Sequence, residues 1–302
     1  MTAELRARAI ALYDRFTHGS GDRRAFMADL AKLAGGVAAA DALLAGIAAS
    51  PAAAAVIPAD DPRLKTATVR QTVSVGRTLS LYMALPAKAR GRHPAVMVVH
   101  ENRGLNDHIR DVARRVALAG YVACAPDFLS GRGGTPPDED AARLMTAKLD
   151  LAQVTADAVA TVQWLGRNPP GDRVLTGKVG ALGFCWGGAL VDRVAVAAGD
   201  ALAAGVAYYG PAPDPAEAGQ VKAAMLLQFG ALDTRVTPDG LRWANALYQA
   251  GVTTETHVYE GANHAFNNDT APERYDAAAA DLAWARTLAF FKAHLTDKGF
   301  RR

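Results

Sequence analysis

The stretch Lys178-Val179-Gly180-Ala181-Leu182-Gly183-Phe184-Cys185-Trp186-Gly187-Gly188 decides the fold of this chain. Its first half is an apolar segment of strand length, and its second half is a Gly-x-Cys-x-Gly turn. The next residues, 189–196, have the apolar content of a helix. Small residues on both sides of Cys185 allow the chain to reverse tightly, so that the central side chain projects alone. The pattern predicts a strand, a sharp turn and a helix, with a thiol at the turn.

This turn resembles the nucleophile elbow of α/β-hydrolases, where most enzymes carry serine at the central position. A thiol at the start of a helix lies near unpaired backbone N–H groups and the positive end of the helix dipole, and both favour the thiolate. The N–H of Trp186 would point toward an oxyanion formed on the attacked carbonyl. The simpler alternative is that Cys185 is a small buried hydrophobic residue in a glycine-rich turn, as free cysteine often is.

The composition is that of one large globular domain or two small ones. The chain has 302 residues, of which 50% are hydrophobic and 21% charged, enough for a sizeable core. The net charge is +3 and the basic residues are scattered, so no basic patch indicates a nucleic-acid partner. Two cysteines cannot build a disulfide framework, and neither a zinc-binding histidine spacing nor a phosphate loop is present. We therefore expect no cofactor and no metal, while the oligomeric state stays open.

Residues 1–58 differ from the rest of the chain. The pair Arg23-Arg24 precedes a segment, 30–55, that is rich in Ala, Gly and Leu. This order resembles a twin-arginine export signal, so we expect a leader and a periplasmic protein. A lysine and an aspartate interrupt the apolar segment, and the alternative is a cytoplasmic protein that retains an N-terminal helix. The segment is too charged to favour a permanent membrane span.

Residues 59–302 have the pattern of a single α/β domain. The alternating segments 68–75 and 78–85 predict a hairpin that turns at Gly76-Arg77. The apolar run 95–99 predicts a strand buried on both faces. Later strands alternate with helices, which indicates an α/β-hydrolase fold with a mostly parallel central sheet and helices on both faces. The later predicted strands are 121–125, in which Cys124 is a core residue, 204–209, 224–229 and 254–259, and the predicted helices are 109–119, 138–165, a segment near Pro215, 237–250 and 272–294.

Two polar residues directly follow predicted strands. Asp233 comes just after strand 224–229, and His264 comes just after strand 254–259. Alone, the aspartate is a turn residue and the histidine a loop residue, but reacting groups gather at the carboxyl edge of such sheets in the order nucleophile, acid, histidine. We therefore predict a catalytic triad of Cys185, Asp233 and His264. His264 would take the thiol proton and later activate water, and Asp233 would hold the imidazole.

Four stretches together resemble the dienelactone hydrolase (carboxymethylenebutenolidase) family. They are Gly183-Phe184-Cys185-Trp186-Gly187-Gly188, Asp233, the sequence Gly-Ala-Asn-His-Ala-Phe at 261–266, and the sequence His-Glu-Asn-Arg-Gly-Leu at 100–105. The resemblance covers roughly residues 65–295. It implies a cofactor-independent hydrolase that opens lactones or cleaves esters of small molecules through a cysteine acyl-enzyme.

The resemblance also implies roles for two residues after strand 95–99. Glu101 would contact the resting thiol and control its ionisation, because a carboxylate near a thiol disfavours the thiolate. The N–H of Asn102 would join that of Trp186 in an oxyanion hole. These roles complete the site that we expect from the sequence.

The sequence departs from the family at one position. Members that act on dienelactone carry an arginine four residues after the histidine, whereas this chain has Asn268. Arg103, Arg132 or Arg235 could replace that arginine, and the natural substrate stays open. Two other functions also stay open: a non-catalytic binding or redox-sensing protein, and a thioesterase or peptidase on the same scaffold.

Overall fold

The computed structural model describes residues 8, 12, 23–36, 39–40, 57–88, 93–167, 174–271 and 273–296, with backbone only at 23 and 174–177. Within these residues the chain forms one eight-stranded sheet, in the order β1-β2-β4-β3-β5-β6-β7-β8. The strands are β1 (Leu64–Ser74), β2 (Arg77–Pro86), β3 (His93–Val99), β4 (Val122–Asp127), β5 (Val174–Phe184), β6 (Ala204–Tyr208), β7 (Ala224–Gly230) and β8 (Thr254–Tyr259).

The sheet is antiparallel at one edge and parallel elsewhere. The predicted hairpin is confirmed, since β1 pairs antiparallel with β2, and β2 pairs antiparallel with β4. From β4 through β8 all pairings are parallel. Every residue of β3, β4, β6 and β7 is buried, as expected for strands covered on both faces. The carboxyl ends of the parallel strands therefore meet along one edge.

Helices cover both faces of the sheet, which confirms the predicted fold class. The helices are α1 (Arg23–Ala34), α2 (Asp107–Leu118), α3 (Glu139–Thr146), α4 (Leu151–Arg167), α5 (Trp186–Ala197), α6 (Thr237–Gln249) and α7 (Ala277–Leu295). Apolar residues of α4, α5 and α6 form one core cluster with one face of the sheet. Apolar residues of α2 and α7 form a second cluster with the other face, and Cys124 is buried in the first cluster as predicted.

Two predicted helices are wrong in extent, and the helical segment predicted near Pro215 is present. The predicted helix 138–165 is two helices, because Asp150 begins a new one by accepting the N–H of Gln153 through Oδ1 at 2.9 Å. The segment at Pro215–Gln220 is a 3₁₀ helix. The last helix begins at Ala277 instead of 272, since Asp276 caps it by accepting the N–H of Ala279.

The region predicted to be a leader contains α1, which includes the Arg23-Arg24 pair. Phe26 and Leu30 of this helix pack with Ala40 in a cluster separate from the two clusters at the sheet. Most of residues 1–56 lie outside the described part of the chain, so the export signal stays a prediction. Among the helices described, none combines the length and the apolar character needed to cross a bilayer.

Candidate active site

The predicted elbow is present between β5 and α5. Cys185 has φ 55° and ψ −116°, a left-handed conformation that is uncommon for a residue with a side chain. Two glycines make the turn possible by close approach of backbone. A Cβ on Gly183 would lie 2.1 Å from the carbonyl oxygen of Gly187, and one on Gly187 would lie 2.5 Å from that of His100. The sequence Gly-x-Cys-x-Gly is therefore required by sterics.

The elbow fixes the thiol at the carboxyl edge of the sheet. The N–H of Cys185 donates to the carbonyl of Tyr208, the last residue of β6, at 3.0 Å, and the carbonyl of Cys185 accepts from Ala189 in α5. Cys185 is buried, with 4% of its surface exposed. The thiol thus lies at the amino end of a 12-residue helix, where the helix dipole favours an anion.

The structure brings the predicted acid and histidine together at the same edge. Asp233 follows β7 and His264 follows β8, and Nδ1 of His264 donates to Oδ2 of Asp233 at 2.6 Å. The other carboxylate oxygen of Asp233 accepts the backbone N–H groups of Arg235 and Val236. The side chain of His264 also hydrogen-bonds that of Cys185. The three side chains therefore form one chain of contacts from carboxylate to thiol.

This chain of contacts favours charge separation. Burial alone would lower the pKa of His264, but the charge of Cys185 and the hydrogen bonds to Asp233 and Cys185 raise that pKa to about 9. Burial would raise the pKa of Asp233, but the hydrogen bond and charge of His264, together with the charge of Arg235, lower it overall. The arrangement therefore favours the imidazolium form of His264 beside the carboxylate of Asp233.

A small cavity of about 20 Å³ lies over the thiol, and we call it the elbow cavity. Cys185, His264, Glu101 and Asn102 all line it. Asn268, the residue at the position of the family's arginine, donates from Nδ2 to Oε2 of Glu101 at 2.8 Å. The structure thus places Glu101 beside the thiol and gives it a neutral amide partner.

Of the two predicted oxyanion donors, Asn102 comes before Cys185 in the sequence and Trp186 directly after it. Asn102 is in the loop after β3 and lines the elbow cavity. Trp186 is the first residue of α5, where the backbone N–H has no partner within the helix. Asn102 thus lies at the cavity over the thiol and Trp186 directly follows Cys185, and the role of their N–H groups in an oxyanion hole stays a prediction.

The loop after β3 is more buried than its polar sequence indicates. His100 is 0% exposed, and its ring stacks on the indole of Trp186 at a centroid distance of 5.2 Å. Its Nδ1 donates to the carbonyl of Glu101 at 2.6 Å, and its Nε2 accepts the N–H of Phe128. Burial lowers the pKa of His100, so it is neutral and orients the chain that carries Glu101 and Asn102.

The arginines proposed from the sequence occupy three different positions. Arg103 lines the elbow cavity, and Nη2 of Arg235 lies 3.3 and 3.4 Å from the two ring nitrogens of His264. Arg132 instead donates to the carbonyl of Lys148 on the surface. A further arginine that sequence reasoning missed, Arg274, also lines the elbow cavity.

Tyr209 is a second residue that sequence reasoning missed. It follows β6 with φ 38°, is fully buried, and its ring centroid lies 5.1 Å from that of His264. Its hydroxyl has no hydrogen-bond partner among the described residues. The signal in the sequence was its position directly after a strand at the carboxyl edge, where Asp233 and His264 also lie.

These features define an α/β-hydrolase, with a strained nucleophile turn, a carboxylate and a histidine in that order at one edge of a mostly parallel sheet. The sequence profile of the dienelactone hydrolase family matches residues 79–295. The chain belongs to that family, and it is a hydrolase that acts on ester bonds.

Known proteins support this placement. The chain is 36% identical over 262 residues to a protein of Escherichia coli O157:H7 named "Putative carboxymethylenebutenolidase", covering 82% of this chain and 94% of the relative. A solved "Putative Dienelactone Hydrolase" from Klebsiella pneumoniae subsp. pneumoniae is 31% identical, with a TM-score of 0.66 over 76% of this chain and 100% of the other. A dienelactone hydrolase-like promiscuous phosphotriesterase, P91, from metagenomic libraries is 25% identical, with a TM-score of 0.67 over 78% and 100% of the two chains.

Proposed function

We propose that this protein hydrolyses a lactone or carboxylic ester of a small molecule through a thioester on Cys185. The observation that carries the proposal is the chain of contacts from Asp233 through His264 to the thiol at the elbow. A nucleophile, a base and a group that orients the base are what acyl transfer requires. The names of the relatives agree with this chemistry.

In the first half of the reaction, Sγ of Cys185 attacks the acyl carbon and the carbonyl electron pair moves to oxygen. The N–H groups of Asn102 and Trp186 donate to that oxyanion. When the tetrahedral intermediate collapses, the C–O bond to the leaving oxygen breaks, and the imidazolium of His264 gives its proton to that oxygen. The product is an alcohol, or the free hydroxyl end of an opened lactone, and a thioester on Cys185.

In the second half, His264 takes a proton from water as the water oxygen attacks the thioester carbon. The C–S bond then breaks, which releases the carboxylic acid and returns the thiolate beside the imidazolium. Asp233 stays ionised throughout and holds the imidazole in the tautomer with hydrogen on Nδ1. Glu101 adjoins the thiol, and we propose that it disfavours the thiolate until a substrate enters the elbow cavity.

The substrate that we propose carries a negative charge close to the reacting carbonyl. Arg103 and Arg274 line the elbow cavity, and Arg235 lies against His264. These cations come from three loops and supply the positive charge that Asn268 lacks. Lactones and esters with a carboxylate near the acyl carbon are therefore the first compounds to assay.

The test is hydrolysis of para-nitrophenyl acetate and of a panel of lactones, thioesters and para-nitroanilides. We expect Cys185→Ala and His264→Ala each to lose nearly all turnover of the best substrate, with thermal unfolding unchanged within a few degrees. Cys124→Ala is the matched control, because that thiol is buried in the core away from the site. Retained turnover in both site variants would refute the mechanism, and preferred cleavage of thioesters or anilides would reassign the substrate class.

Alkylation of Cys185 in the same purified protein distinguishes an enzyme from a non-catalytic binding protein. A reactive Cys185 combines with iodoacetamide at neutral pH, whereas a thiol that only packs in the turn does not. An unreactive Cys185 together with no turnover on the panel would favour the binding or redox-sensing alternative.

We further propose that residues 1–58 direct export to the periplasm. The structure supports a boundary near Ile57, whose N–H donates to Asp111 at 2.7 Å and whose carbonyl accepts from Arg114 at 2.7 Å. Cleavage before Ile57 would leave that residue hydrogen-bonded to α2. In the native host, we expect mass spectrometry of the periplasmic fraction to show an amino terminus near residue 56, and a change of the Arg23-Arg24 pair to lysines to abolish it. A full-length cytoplasmic protein would favour the retained helix.

A further inference from the structure

A cavity of about 330 Å³ lies beside the elbow cavity, and the proposed reaction does not account for it. We call it the outer cavity. The first turn of α2 and the segment 135–139 form much of its wall. Its volume is at the lower end of the range for small-molecule sites, about 300–1,000 Å³. The elbow cavity, at about 20 Å³, holds little more than the reacting atoms.

The two cavities share a wall. Arg103 lines both of them. Thr270 lines the outer cavity, and its N–H and hydroxyl donate to Oδ1 of Asn268 at 3.0 and 2.6 Å. Asn268 in turn lines the elbow cavity. The two cavities are therefore adjacent, and Arg103 lies at the boundary between them.

Arg103 is able to exchange partners at this wall. Its Nη1 donates to Oε2 of Glu139 at 2.7 Å, with 21% and 28% of the two side chains exposed. Ion pairs in contact with solvent contribute little net stability. The guanidinium therefore lies where it could also donate to an oxygen of a ligand.

His108 gives the outer cavity a buried polar group that a ligand would satisfy. The residue lines the cavity, only 4% of it is exposed, and in the described part of the chain its Nε2 has no hydrogen-bond partner. Nδ1 faces Oδ1 of Asp269 at 3.2 Å, which leaves Nε2 for a ligand. Buried polar groups in proteins nearly always have partners, so the lack of one here points to a bound group.

The charges of the wall limit what this group can be. Arg103, Arg110 and the amino end of α2 favour an oxygen acceptor. Asp107 and Glu139 also line the cavity, and they would repel a group with two negative charges. A single carboxylate, a ketone or an amide oxygen suits this combination.

We infer that the outer cavity is a substrate subsite, which binds an acyl chain of a few carbons that ends in one oxygen acceptor. The inference rests on the proposed ester hydrolysis and adds the part of the substrate remote from the scissile bond. Arg103 and His108 would be the residues that determine this specificity.

The test compares three para-nitrophenyl esters, namely the acetate, the pentanoate and the monoester of glutarate, with the purified full chain. We expect the wild type to prefer the glutarate ester to the pentanoate in kcat/KM. Arg103→Met should lower that preference about tenfold, the effect of losing one hydrogen bond to a charged group. Pro137→Trp fills the cavity from an exposed position. It should lower kcat/KM for the pentanoate and the glutarate ester about tenfold relative to kcat/KM for the acetate.

Val75→Trp is the matched control, since it adds the same side chain at a fully exposed hairpin position. We expect its ratios of kcat/KM among the three esters to equal those of the wild type. Wild-type ratios in both Arg103→Met and Pro137→Trp would overturn the subsite.

Binding of glutaric acid mono-para-nitroanilide, measured by calorimetry, separates the two proposals. If no ester is cleaved but the anilide binds the wild type and not Pro137→Trp, the proposed function fails and the subsite stands. If esters are cleaved but the anilide binds both proteins equally, the subsite is refuted and the proposed function stands.

Discussion

The contact between Asp233 and His264 predicts how fast Cys185 reacts with an alkylating agent. The pKa of His264 is raised from 6.5 to about 9, so the site favours the imidazolium by roughly 3 kcal/mol, at about 1.36 kcal/mol per pH unit. The thiol and the carboxylate share this effect. If Asp233 supplies between a third and a half of it, Asp233→Asn removes about 1–2 kcal/mol and lowers the thiolate population about five- to thirtyfold.

The assay is the rate of carbamidomethylation of Cys185 by iodoacetamide between pH 5 and 10, followed by peptide mass spectrometry. For the wild type we expect measurable alkylation at pH 6–7, where His264 is an imidazolium. For Asp233→Asn we expect a rate about tenfold lower at pH 6–7 that meets the wild-type rate at high pH. Cys124 stays silent, since it is fully buried and burial raises its pKa.

Asp200→Asn provides the control, because this exposed aspartate lies in a short 3₁₀ helix away from the site. Identical profiles for the wild type and Asp233→Asn would show that the carboxylate does not stabilise the imidazolium. The stability that the raised pKa of His264 provides is fully present below pH 6.5 and is lost as the pH rises through about 9.

Three further predictions concern the fold and the site. Burial raises the pKa of Asp192 to about 8, so the free energy of unfolding should fall by up to about 1.4 kcal/mol per pH unit between pH 4 and 8. Urea unfolding curves of Asp192→Asn should show a smaller slope with pH, and an unchanged slope contradicts the prediction. Gly187→Ala should lower the free energy of unfolding by roughly 3 kcal/mol or more, because its Cβ meets backbone, whereas Gly219→Ala, which meets nothing, should change it by less than about 0.5 kcal/mol. Asn268→Ala frees the carboxylate of Glu101 to approach the thiol and should slow alkylation of Cys185 several-fold at neutral pH. Equal alkylation rates for the wild type and Asn268→Ala would contradict this.

The features that sequence reasoning predicted are those that depend on neighbours along the chain. The clash that excludes a side chain at Gly183 is with Gly187, four residues away. Continuous apolar runs identified the buried strands, and the residues after them identified the edge where the site lies. Asp150 was missed although an aspartate three residues before a glutamine is a visible cap, because unbroken apolar periodicity was given more weight.

The features that the sequence did not predict depend on contacts between distant loops. The hydrogen bond from Asn268 to Glu101 joins residues 167 positions apart, and no local pattern selects that pairing. The burial of His100 was hidden for the same reason: its partners, Phe128 and Trp186, come from two other loops. Tertiary packing thus buries His100 against Trp186 although the loop sequence is polar.

The replacement of the family's arginine by Asn268 has a consequence for where positive charge lies in the site. An asparagine orients the carboxylate of Glu101 by a hydrogen bond at 2.8 Å but does not neutralise it. Arg103 and Arg274 line the cavity over the thiol, and Arg235 lies against His264, but none of them is the fourth residue after that histidine. Arg103 also lines the outer cavity. A substrate oxygen bound there by Arg103 would therefore hold this positive charge beside the outer cavity and away from Glu101. We therefore expect substrate preference in this protein to depend on the part of the substrate in the outer cavity, beyond the ester bond proposed to react at Cys185.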